Sequence, residues 1–101
     1  MPTGNGEPRF TVRVSGAVAA ILKKLQHQAW REHRGEAFLT SFQTISQRLT
    51  HDAREFGEPL YRLPALKLQV RHGIVGPLMV YFAVHDDEPL VLVKGAALLP
   101  E

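Results

Sequence analysis

The sequence predicts an α+β fold: a four-stranded, mainly antiparallel sheet with an α-helical hairpin on one face, in the order β-α-α-β-β-β. Three observations predict it. Two stretches in the first half repeat apolar residues at helical spacing. From Leu66 onward the pattern changes to the two-residue alternation of strands. Short Gly-, Pro- and Asp-rich breaks separate those alternating runs, at lengths that suit hairpin turns.

Each element follows from its residues. Phe10, Val12 and Val14 alternate with polar neighbours, which reads as a short half-buried strand over 10–14. Ser15 is a natural N-cap. Val18, Ile21, Leu22, Leu25 and Ala29 then mark one face of a helix from about residue 16 to about 32. His33-Arg34-Gly35 breaks it, with Gly35 suited to a left-handed C-terminal turn. Phe38, Phe42, Ile45 and Leu49 form the stripe of a second helix from about 35 to about 53. Phe56 to Ala65 contains Gly57, Pro59 and Pro64 and reads as an irregular crossing segment. Leu60, Tyr61 and Leu63 are its residues suited to docking on the core. Leu66, Leu68 and Val70 alternate with Lys67, Gln69 and Arg71 in a strand over 66–72. Leu78 to His85 sets Leu78, Val80, Phe82 and Val84 against Met79, Tyr81, Ala83 and His85. A short apolar strand over 90–94 closes an antiparallel meander. The helical stripes need one sheet face, so the Lys67/Gln69/Arg71 and Tyr81/His85 side is expected to stay open. The strand at 10–14 falls either at a sheet edge or beside the meander.

Composition bounds the rest. A chain of 101 residues with 45% hydrophobic and 22% charged residues fits one domain, residues 10–101, after a loose tail over 1–9. The absence of cysteine excludes disulfides, thiolate metal sites and thiol catalysis. No apolar run is long enough for a membrane span, and the polar N-terminus does not read as a signal peptide. The expectation is a cytoplasmic protein with no membrane contact. Twelve Lys+Arg against ten Asp+Glu leave +2, too little to imply a nucleic-acid partner unless placement gathers the cations.

The element order and the C-terminal half resemble the RelE/ParE toxin superfamily of bacterial toxin–antitoxin systems, over about the whole chain after residue 9. Asp52 to Glu55 with Gly57-Glu58-Pro59-Leu60 is similar to the family's link out of the second helix. Leu66-Lys67-Leu68-Gln69-Val70-Arg71 resembles its basic second strand. Gly76 to Val84 resembles its third strand, usually Gly, two residues, Arg, two apolar residues and an aromatic. Asp86-Asp87 and Leu90 to Val93 resemble its acidic turn and fourth strand. The family's messenger-RNA-cleaving members use several basic residues and often a tyrosine. Aligning Phe82 with the aromatic puts Met79 where that strand's arginine belongs, and the C-terminal arginine falls near Leu98 or Leu99. RNA cleavage needs a base, a cation for the developing phosphorane charge and an acid. Lys67, and less closely Arg71, match the basic second strand, and at most one of the three roles is filled, by Lys67. The resemblance therefore implies the fold and a toxin-like protein that binds, with a degenerate ribonuclease site and no catalytic residues assigned. The binding set it implies is Lys67, Arg71 and Tyr81, with Arg62, His72 and His85 around them. The partners it implies are RNA or the ribosome, or an antitoxin-like protein. A ParE-like topoisomerase inhibitor, and a non-toxic interaction module that keeps only the fold, are the alternatives.

The individual residues leave further readings open. The Lys67/Gln69/Arg71/Tyr81/His85 group reads first as a wet sheet face and second as a phosphate- or partner-binding surface. The five histidines lack metal-ligand spacing, so no metal and no cofactor are expected. Ser41 or Ser46 with His51 and Asp52 lacks the strained nucleophile turn of a hydrolase. His85-Asp86-Asp87-Glu88 reads as a turn. Trp30 marks an interface or folds over the hairpin's end.

Overall fold

The computed structural model describes residues 9–100. The tail expected over 1–9 falls on residues 1–8, outside the described residues, except for exposed Arg9. Among the described residues the elements are β1 (Thr11–Val14), α1 (Gly16–Arg31), α2 (Gly35–His51), β2 (Glu58–Leu63), β3 (Leu68–Val75), β4 (Leu78–His85) and β5 (Leu90–Leu98). No described helix is long and apolar enough to cross a membrane.

The fold is α+β, with two helices and a five-stranded mixed sheet in the order β1-β5-β4-β3-β2. The expected four strands become five. The segment taken as irregular supplies β2, antiparallel to β3 with a bulge between Pro59 and Tyr61. Pro59 is tolerated there because β2 is an outer strand, whose free side needs no ladder bonds. β1 is the opposite outer strand and pairs parallel to β5, while the remaining pairs are antiparallel. The last strand continues to Leu98, beyond the expected end at 94, with a register shift beside Lys94.

The helices begin much as their sequences suggest. The Ser15 hydroxyl accepts a hydrogen bond from the Val18 N–H at 3.2 Å and caps α1. The break between the helices is built differently from the expectation. His33 takes the left-handed conformation, with φ 61°, and Gly35 instead opens α2. Glycine is needed at 35 for space: a Cβ there would lie 2.1 Å from the Trp30 ring. Trp30 therefore folds over the hairpin's end, with 51% of its surface still exposed. In α2 the buried line runs Phe38, Ser41, Ile45, Leu49, and Phe42 lies outside it, 40% exposed. Phe42 keeps contact with the layer by stacking on Phe38, ring centroids 6.4 Å apart.

Val18, Ala29, Phe38, Ile45 and Leu49 pack onto Leu78, Val80, Phe82, Val84, Val91 and Val93 to form the main core. These β4 residues lie on the face the alternation assigned them. The two faces of β3 are reversed. Gln69 stands opposite Val84 and Arg71 opposite Phe82, so both point to the helix side. Val70 stands opposite Ala83, and with Leu68, Leu63 and Leu92 it forms a second apolar cluster on the other face. The cause is local. Pro64–Leu66 is a 3-10 turn, and Lys67 follows it in the left-handed conformation with φ 56°. The strand starts at Leu68, one residue after that reversal, and its phase is set by pairing with β4.

Candidate functional site

Beyond the C-terminus of α2 the helical layer ends, and the sheet face it would have covered is polar. Residues 52–57 carry the chain from α2 to β2. Phe56 closes the core there, stacked on Phe82 with ring centroids 5.7 Å apart. It lies directly on β3 because residue 73 is glycine, whose Cβ would fall 2.4 Å from the Phe56 ring. Gly57 then turns the chain with φ 72°, and a Cβ there would lie 2.0 Å from the His72 carbonyl oxygen. This turn exposes two carbonyls toward β3.

Arg71 uses them. Its Nε donates to the Phe56 carbonyl at 2.9 Å and its Nη2 to the Gly57 carbonyl at 3.0 Å. Arg54, on the same linking segment, donates to the carbonyls of His85 and Glu88 at 3.0 and 3.1 Å. Its guanidinium also lies 4.9 Å from the centroid of the buried Phe10 ring, a cation–π contact that fixes its direction. Arg62 pairs with Asp86 and bonds the Gln69 amide oxygen at 3.4 Å. The Gln69 amide nitrogen donates to the Tyr61 carbonyl at 2.9 Å. Arg54, Arg62, Gln69, Arg71, Val84, His85 and Asp86 line a cleft of about 220 Å³.

Three guanidiniums and one carboxylate meet in this cleft. Arg54 and Arg71 bond to backbone carbonyls and to no carboxylate among the described residues. Carbonyl bonds orient a guanidinium without neutralising it, so Arg54 and Arg71 keep a net positive charge at the cleft, where the one carboxylate, Asp86, pairs with Arg62. Arg71 has given its Nε–Nη2 edge to carbonyls and Arg54 its Nη2, so the N–H groups left at the cleft's rim suit single bonds to phosphate oxygens.

The residues expected from the sequence separate into three places. Arg62 and Arg71 line the cleft with Gln69. Tyr81 and His72 lie on the opposite side of the sheet, ring centroids 6.3 Å apart, so they share no site with Arg71. The proposed Lys67/Arg71 strand face is therefore overturned. Lys67 sits on the turn before β3, exposed, and reaches Asp87 at 3.3 Å. His85 ends β4 with its Nδ1 accepting the N–H groups of Asp87 and Glu88 at 3.1 and 3.0 Å, which fixes the acidic turn. Arg54 was missed. It lies in a segment without periodicity, and nothing in its neighbours marks it as meeting residues 85–88.

No protein-family model matches this chain, and neither a curated protein nor a solved structure matches it.

Proposed function

We propose that this chain is a toxin-like protein of the RelE/ParE type that acts by binding, and that it holds the phosphate backbone of single-stranded RNA in the cleft of Arg54, Arg62 and Arg71. The observation carrying this reading is that Arg54 and Arg71 face one cleft with their charge uncancelled, each oriented by two carbonyls. The order of one strand, two helices and antiparallel strands agrees with the family's arrangement, with β2 added at the outer edge. A net charge of only +2 is no obstacle, because the cations that matter are gathered.

The test is fluorescence anisotropy of a labelled single-stranded RNA across a salt series, for the wild type and Arg54→Ala. The variant is expected to bind on the order of tenfold more weakly, with a salt slope smaller by about one. Circular dichroism checks that it folds. Wild-type protein that does not bind RNA even at low salt, or an Arg54→Ala variant of unchanged affinity, would overturn the reading. Induced expression in a bacterial host then tells whether binding arrests growth.

A further inference from the structure

The sheet face away from the helices is apolar at its centre and charged at its edges. Leu63, Leu68, Val70, Ala83 and Leu92 cluster there, with Val70 and Ala83 each only 1% exposed. Tyr61, Tyr81 and Ile74 stand around them, 50%, 36% and 52% exposed. Neither helix covers this side, because both pack on the opposite one. Arg13 belongs to this face through its pairing with Leu92, and Glu58 through its pairing with His72. β1 and β2 are the two outer strands, so these opposite charges stand on opposite edges. Neither is in an ion pair among the described residues. Lys94, exposed and two residues beyond Leu92, adds to the positive side.

We propose that this face packs against the same face of a second copy, about a two-fold axis parallel to the strands. The charges select both the partner and the axis. A two-fold along the strands lays β1 of one copy over β2 of the other, so Arg13 meets Glu58 twice. A two-fold across the strands would lay Arg13 over Arg13 and Glu58 over Glu58, which repels. The register makes the contact reachable. Arg13, Leu92, Ala83, Val70 and Tyr61 form one row across the sheet, and Glu58, His72 and Tyr81 lie in the next. Alternate rows on one face are roughly 7 Å apart and packed sheets roughly 10 Å apart, within the span of two long side chains. Tyr61 of one copy then lies over Arg13 of the other as a cation–π partner. Five strands at about 4.8 Å spacing and four rows of side chains give a face on the order of 600 Å² before side-chain relief. A specific interface has to clear about 500 Å² per partner, and a standard one takes about 800 Å², so the face lies within the lower part of the range for a specific pair. The arginine cleft lies on the helix side and stays open in such a pair, so this inference stands apart from the RNA reading.

The test uses charge reversal at the two exposed edges, where the fold is not at risk. Sedimentation equilibrium from about 1 μM to about 1 mM is expected to show a wild-type dimer. Arg13→Glu and Glu58→Arg are each expected to weaken it about tenfold, since each sets like charges opposite one another. Mixing the two variants in equal amounts is expected to restore wild-type affinity, because in the mixed pair both contacts become opposite again. The proposal is overturned by a wild-type monomer over that range, or by a dimer that both reversals leave within about twofold. Hydrogen exchange on Val70 and Ala83 that slows only when RNA is added would also overturn it, assigning the face to nucleic acid.

Discussion

The two faces of the sheet are made by alternate residues of the same strands, and they end in different states. On the helix side, Phe82, Leu78 and Val91 are sealed beneath side chains from another layer. On the far side, Val70 and Ala83 are buried almost as fully, yet the residues packed against them come from the sheet itself. Burial of a small residue therefore does not prove that a layer covers it. The taller side chains of neighbouring strands are enough, and they leave an exposed apolar rim on this side.

Substitutions can sharpen or break this contrast. The largest effect is expected from Phe82→Ala, which removes a fully buried ring and its stacking partner for Phe56. A loss of about 3–5 kcal/mol is expected in urea denaturation. Gly73→Ala comes next. Its methyl would meet the Phe56 ring at 2.4 Å and lift it from the sheet, at a cost of about 1–3 kcal/mol. An unchanged denaturation midpoint would mean that Phe56 does not seal the core. The smallest effect is expected from Val70→Ala, about 1–2 kcal/mol, because the rim has no second layer to leave a closed cavity against. A Val70→Ala cost equal to that of Phe82→Ala would erase the distinction between the faces. A cost that grows with protein concentration would sharpen it, because a second copy would then be covering the rim.

Much of the frame was legible locally. The Ser15 cap, both helices and the sidedness of Leu78 to Val84 follow from residue type and spacing. The second helix misled at Phe42, where the small Ser41 takes the inward place and the ring lies at the layer's edge. β2 was hidden because Pro59 and Pro64 signal irregular chain; Pro59 is harmless on the free side of an outer strand, and Pro64 lies just past the strand, at the start of the 3-10 turn. The candidate site was less legible. Arg62 and Arg71 were marked as binding residues, but were joined to Lys67, Tyr81 and His72. Alternation tells which residues share a face without telling which face the helices take.

The sequence by itself determined an α+β chain, its two helices, the turns between its last strands and the absence of any thiol chemistry. These depend on contacts between near neighbours, whose periods are written in residue order. Tertiary structure alone decided that β1 runs beside β5, that β3 turns Gln69 and Arg71 toward the helices, and that Arg54 meets the carbonyls of His85 and Glu88. Each of these is a contact between distant segments. The phase of β3 in particular is fixed by the left-handed turn at Lys67 and by pairing with β4. Reversing it would place a guanidinium among the second cluster's leucines and leave Val70 at the polar cleft.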